Sequence, residues 1–240
     1  MNTEILENPT VKKYYPGEDK VVLSMEWSNE EGLLHREDGK PAFIEFWKDD
    51  TVREERFYKN GKNWRADDLP TTVFYRENGK VEQEIWEDEF GNYDRGNDLP
   101  AIISYDFDGN ILSMEWHKKG RLSRDGKPAV IYFWESGSVR MESFLKDDAN
   151  WRAGGLPTTV FYYEDGTVEQ EVWEDILGLY NRGNDLPAVI SYDLDGNVTR
   201  KDWYIEDVPS RKDGKPEAEI YKNGKLVETI KGDISTISVF

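Results

Sequence analysis

Leu99-Pro100-Ala101-Ile102-Ile103-Ser104-Tyr105-Asp106-Phe107-Asp108-Gly109-Asn110 is the stretch on which the fold turns. Ala101, Ile103 and Tyr105 stand two apart, so in an extended chain they share one face. Pro100 has no N–H to give to a central ladder and marks a strand start. Asp108-Gly109 supplies the positive φ of a tight hairpin turn. A second β-rich run then closes at Trp116. The whole reads as one β-hairpin followed by a polar return.

The same text recurs along the chain. Pro41, Pro70, Pro100, Pro128, Pro157, Pro187 and Pro216 are spaced 28 to 30 residues apart. Five residues after each stands an aromatic: Phe46, Tyr75, Tyr105, Phe133, Tyr162, Tyr192 and Tyr221. Four or five residues before each stands an arginine, from Arg36 and Arg65 to Arg182 and Arg211. A further aromatic precedes each proline by 12 to 14 residues: Trp27, Phe57, Trp86, Trp116, Phe144, Trp173 and Trp203. Pro9 and Tyr14 open an eighth, irregular unit. A longer period lies above this one. Shifted by 87, Leu69–Asn110 falls on Leu156–Asn197 with 32 of 42 residues identical, so a block of three units was duplicated.

One hairpin is not stable alone in water, but stacked hairpins can bury a shared aromatic face. The pattern therefore predicts an all-β protein: tandem β-hairpin repeats of about 29 residues, seven full units plus the irregular N-terminal one. They are expected to stack as an elongated, twisted single-sheet solenoid. The expected organisation is a single repeat domain over 1–240: an N-terminal cap over 1–27, the array with its 87-residue super-repeat over 28–216, and a C-terminal cap over 217–240.

Composition narrows the function. The net charge is −18, with two histidines and no cysteine. Disulfides, thiolate metal sites and cysteine nucleophiles are excluded. An excess of carboxylates argues against direct binding to a nucleic-acid backbone. The chain is 37% hydrophobic yet carries 9 Trp, 13 Tyr and 10 Phe, which disordered acidic tails lack, so an ordered protein is expected. Met1–Thr10 is mixed and polar, and no stretch reaches the length of a membrane span. The expectation is a cytoplasmic protein without membrane insertion.

Residues able to carry chemistry are few. Asp106–Asn110 and Asp193–Asn197 resemble fragments of a calcium loop, but such a loop needs further oxygen ligands between two helices, and a hairpin turn is the better reading. His35 and His117 lie in different units and recur in no other. No Walker or dinucleotide glycine pattern occurs. The expectation is no catalysis, no metal and no cofactor. The recurrent arginine reads as a structural ion pair holding the return loop, with Glu55, Glu84, Glu142 or Glu171 as partner. Trp27, Trp86, Trp116, Trp173 and Trp203 share one register slot and read as core. Trp47, Trp64, Trp134 and Trp151 fall outside it; Trp64 and Trp151 stand 87 apart in Asn-Trp-Arg-Ala. With the return-loop acids Asp67, Asp68, Asp98 and Asp185, these four are the candidate binding residues, because the fold explains them least.

Leu34-His35-Arg36-Glu37-Asp38-Gly39-Lys40-Pro41-Ala42, with Tyr58-Lys59-Asn60-Gly61-Lys62, resembles MORN-type repeats. It is most similar to the variant arrays of bacteria, phages and giant viruses, and also resembles MORN-repeat antitoxin or immunity proteins. The units here are longer than the usual MORN repeat, and its Tyr-x-Gly signature is blurred. The resemblance implies stacked hairpins and a scaffold or binding role. Lipid contact, also proposed for the family, is opposed by the charge, since an anionic leaflet repels it. The function expected is a non-catalytic protein–protein interaction module, an acidic repeat ribbon that binds a basic partner protein in a fast, salt-sensitive association. An inhibitor, immunity or anti-defence protein occupying a nucleic-acid-binding site is its sharpest form. The alternative is a carbohydrate-binding module using the exposed tryptophans.

Overall fold

A computed structural model describes residues 8–18 and 20–232. Residues 1–7 and 19 of the expected N-terminal cap, and 233–240 of the C-terminal one, lie outside them. The chain divides into two compact units, Met1–Arg121 and Leu122–Phe240. Among the described residues there is no α-helix, only single 3₁₀ turns at Ala153–Gly155 and Lys212–Gly214. The protein is all-β and built from hairpins, as the two-residue alternation predicts.

In Met1–Arg121 eight strands of four or five residues follow one another in chain order, with two-residue strands in the return loops between them left unnumbered: β1 (Val11–Tyr14), β2 (Val22–Glu26), β3 (Phe43–Phe46), β4 (Val52–Arg56), β5 (Thr72–Tyr75), β6 (Val81–Ile85), β7 (Ile102–Tyr105) and β8 (Ile111–Glu115). Each pairs antiparallel with the next. Leu122–Phe240 repeats the plan with β9 (Val130–Phe133), β10 (Val139–Ser143), β11 (Thr159–Tyr162), β12 (Val168–Val172), β13 (Val189–Tyr192), β14 (Val198–Asp202), β15 (Ala218–Lys222) and β16 (Lys225–Ile230).

The turns differ from a two-residue hairpin. In β5–β6 the Gly79 N–H reaches the Arg76 carbonyl at 2.8 Å and the Arg76 N–H reaches the Lys80 carbonyl at 2.9 Å. The register slips by one between Phe74 and Tyr75. This is a type I turn closed by a bulge, in which only Gly79 (φ 78°) is left-handed. The slip recurs in the other hairpins, for example between Glu45 and Phe46 and between Ser191 and Tyr192. Asn223-Gly224, with φ of 52° and 71°, is left-handed at both positions and so gives the two-residue turn that the dipeptide suggests.

The core lies on the face that carries the residue after each proline. There Ala42, Ala101, Ala129 and Ala188 are fully buried, and Thr71 and Thr158 take the same place and are buried too. The slot aromatics, Trp27, Phe57, Trp86, Trp116, Phe144, Trp173 and Trp203, are all at most 7% exposed. Each contributes about 2–3 kcal/mol by burial.

The recurrent arginine does hold the return loop, but by a different partner from the one expected. Its guanidinium lies over the slot aromatic: Arg65 is 3.7 Å from the Phe57 ring centroid, Arg95 3.8 Å from Trp86, and Arg182 3.4 Å from Trp173. Its Nη1 also donates to the carbonyl of the following proline, as Arg65 does to Pro70 (3.2 Å) and Arg152 to Pro157 (3.1 Å). Glu55, Glu84, Glu142 and Glu171 instead accept hydrogen bonds from the tyrosines of the aromatic slot after the proline. Tyr75 donates to Glu55 at 2.8 Å, Tyr105 to Glu84 at 2.6 Å, Tyr162 to Glu142 at 2.8 Å and Tyr192 to Glu171 at 2.6 Å. Burial lowers the pKa of Arg65 and Arg182 and the nearby Glu55 and Glu84, or Glu171, oppose that shift, so these glutamates serve phenol and guanidinium together, while Arg211 pairs directly with Glu219 at 2.7 Å.

Candidate binding surfaces

Trp64 and Trp151 each follow a two-rung hairpin in the return loop, Tyr58–Asn63 and Leu145–Asn150. The backbone N–H of each donates to the slot aromatic's carbonyl, Phe57 or Phe144, at 3.0 Å. That bond fixes the backbone while the ring stays outside: Trp64 is 43% exposed and Trp151 45%. The Lys59 ammonium lies 4.7 Å from the Trp64 ring centroid, and that of Lys146 lies 5.2 Å from Trp151. One side of each ring is thus taken by a cation of its own loop.

Further exposed apolar residues in the loops were missed by sequence reading. Leu69, Phe90 and Leu99 are exposed in Met1–Arg121, and their equivalents 87 residues on, Leu156, Leu177 and Leu186, are exposed in Leu122–Phe240. There Trp151, Leu156, Ile176 and Leu186 line one groove of about 420 Å³, with Trp173 and Arg182. The sequence did hold a signal, namely large apolar residues at offsets that the strand alternation does not use, repeated at the long period.

Trp47 and Trp134 do structural work. The Trp47 Nε1–H donates to the carbonyl of Tyr75 in the next hairpin at 3.2 Å, and that of Trp134 to the carbonyl of Tyr162 at 3.1 Å. Tyr15 does the same to Phe46, Arg76 to Tyr105 and Tyr163 to Tyr192, at 2.8, 2.6 and 2.9 Å. These residues all stand six after a proline. Any long side chain with a donor serves there, so the slot has no single residue identity to be read.

The return-loop acids sit in left-handed turns: Asp67 and Asp68 at φ 59° and 55°, Asp98 at 58° and Asp185 at 57°. Asp68, Asp98 and Asp185 offer backbone carbonyls to the indole N–H groups of Trp86, Trp116 and Trp203, at 2.8, 3.0 and 3.0 Å. The Asp68 carboxylate pairs with Arg95 at 3.1 Å. Asp185 accepts from Lys215 at 2.6 Å, and that hydrogen bond is the main reason its pKa lies below the usual carboxylate value. Asp67 is exposed.

Asp106 and Asp193 use their carboxylates inside their own turns. Asp106 Oδ1 accepts the N–H groups of Asp108, Gly109 and Asn110, and Asp193 Oδ1 those of Asp195 and Asn197. Among the described residues no group of three or more His, Cys, Asp or Glu could hold a metal ion. His117 meets Glu115 at 3.0 Å and the edge of Tyr93, and His35 meets Glu37 at 2.9 Å. No helix among the described residues is long and apolar enough to cross a membrane.

A second groove, of about 670 Å³, lies in Leu122–Phe240 on the opposite sheet face, among Phe161, Gln170 and Ser191. Their strand neighbours Val160, Glu171 and Ile190 point to the clasped aromatics instead. No protein-family model matches the chain, and no curated protein matches it in sequence.

Proposed function

We propose that the chain is a non-catalytic interaction module: an acidic solenoid of tandem hairpins, of MORN type, that docks a cytoplasmic partner protein with a basic surface. The observation that carries the reading is the duplicated set of exposed apolar loop residues, Trp64, Leu69, Phe90 and Leu99 and, 87 residues on, Trp151, Leu156, Leu177 and Leu186, of which Trp151, Leu156 and Leu186 line one groove. Large apolar side chains held outside the core, on loops fixed by backbone hydrogen bonds, are the composition of interface anchors. Around them a chain of net charge −18 attracts a cationic partner and accelerates its approach. In the inhibitor form, the surface covered on the partner is one that otherwise binds nucleic acid.

The test is affinity capture from cells that express the protein. The wild type is compared with a Trp64→Ala/Trp151→Ala variant, and each is eluted by a salt gradient. A basic protein held by the wild type, released by moderate salt and lost by the variant supports the reading. Equal retention by both, or retention indifferent to salt, refutes it. The inhibitor form further requires that added nucleic acid compete for the captured partner.

A further inference from the structure

The groove on the opposite sheet face differs from its own duplicate in one chemical respect. In Met1–Arg121, Arg53 Nη1 donates to Glu45 at 2.8 Å and Arg76 Nη1 to Glu82 at 3.0 Å, so both ion pairs are closed. At the positions 87 residues on, Arg53 becomes Arg140 and Glu82 becomes Glu169, but their partners are replaced by Tyr132 and Tyr163. Among the described residues neither the Arg140 guanidinium nor the Glu169 carboxylate then has a hydrogen bond or an ion pair. Arg140 lies over Trp134, 4.7 Å from its centroid, as Arg53 lies over Trp47 at 4.8 Å. His117 is likewise replaced by Tyr204, whose ring packs against Tyr180 at 5.3 Å. Among the described residues neither of these phenol hydroxyls is hydrogen-bonded. Gln170 donates its Nε2–H to Ser191 at 3.2 Å and keeps its Oε1 open.

These changes replace two closed ion pairs by rings and leave Arg140 and Glu169 as unused planar polar groups. Four ionised side chains line the groove, Arg140 and Arg200 against Glu169 and Asp202, so it is neutral within a strongly acidic chain. Arg200 holds Asp202 by bonds of 2.7 to 2.9 Å, which fixes the guanidinium in place. The volume, about 670 Å³, is that of a site for a small ligand. A charged ligand gains nothing from balanced charge. A chain of neutral sugars matches the site: its C–H faces lie on aromatic rings, and its paired hydroxyls meet two-pronged groups such as Arg and Glu.

We propose that this groove binds a neutral oligosaccharide. The site is independent of the loop surface described above and does not rest on a partner protein.

The full-length protein is titrated, by calorimetry and intrinsic fluorescence, with hexasaccharides of α-1,4-glucose, β-1,4-glucose, β-1,4-mannose and β-1,4-N-acetylglucosamine. At least one is expected to bind saturably. Gln170→Ala and Tyr204→Phe are each expected to weaken it about tenfold, the loss of one hydrogen bond. Gln83→Ala, the equivalent change in Met1–Arg121, and Trp151→Ala are expected to leave it unchanged. Far-UV circular dichroism establishes that each variant folds, and Tyr204→Phe keeps the ring so that packing survives. No binding at millimolar sugar overturns the proposal. So does binding that folded Gln170→Ala and Tyr204→Phe retain in full, or binding lost with Trp151→Ala.

Discussion

Tyr75, Tyr105, Tyr162 and Tyr192 each donate a hydrogen bond to a glutamate on a neighbouring strand. Burial first, and the facing carboxylate with it, raises each phenol pKa above its ordinary value of 10.0. A raised folded pKa means that the associated stability is complete below about pH 10 and is lost as pH rises through the folded value. The urea midpoint is expected to hold from neutral pH to about pH 9 and to fall beyond about pH 10. A midpoint flat well into that alkaline range would show the phenols to be uncoupled from folding. Tyr105→Phe removes the donor to Glu84 and is expected to cost about 1 kcal/mol in urea unfolding. The arginines are as specific. Arg182→Lys replaces a flat cation over Trp173 by a point charge and loses the fork that reaches the Pro187 carbonyl. A loss of about 1 kcal/mol is expected at neutral pH, and equal stability of the two proteins would rule out the stacked geometry.

Among the hairpins, the bulged turn decides which residues are tolerated. Gly79→Ala places a Cβ on a left-handed residue at φ 78° and is expected to cost about 1–2 kcal/mol. Asp50 occupies the same position in β3–β4 at φ 65°, so Asp50→Gly is expected to change stability by only a few tenths of a kcal/mol. Thermal melts of the two variants give the comparison, and similar losses in both would mean the left-handed residue carries no strain. The strands, the turns and the buried ring slot were legible from residue types at fixed offsets, because strand alternation and proline placement are local. The arginine's partner was not. A glutamate two positions from any strand residue satisfies an ion-pair reading on paper, and only the stacking of hairpins shows that the phenol reaches it first. Trp47 and Trp134 were singled out as unexplained because Tyr15, Arg76 and Tyr163 do the same work with different chemistry. Leu69, Phe90 and Leu99 were passed over since isolated apolar residues in loops usually mean nothing.

For the molecule as a whole, the duplicated block gives a direct test of repeat architecture. Excising residues 70–156 joins Leu69 to Pro157 and restores the native Leu-Pro step. The shortened chain is expected to fold, with an unchanged far-UV spectrum per residue, because each hairpin leans chiefly on its neighbours. Loss of all structure would mean that stability resides in contacts beyond adjacent hairpins. The two copies have also parted company, the Arg53–Glu45 and Arg76–Glu82 pairs of one giving way in the other to Tyr132 and Tyr163, which is how a duplicated scaffold comes to hold two kinds of surface. The side-chain bonds that run from one hairpin to the next carbonyl have a last consequence. Asp193 stands where Tyr163 and Trp134 supply a donor, and it has none to give, its carboxylate being turned inward on its own loop. The final hairpin, β15 and β16, therefore lacks this latch: its amides should trade hydrogen for deuterium sooner than those of β11 to β13, and a tyrosine grafted by Asp193→Tyr should slow them.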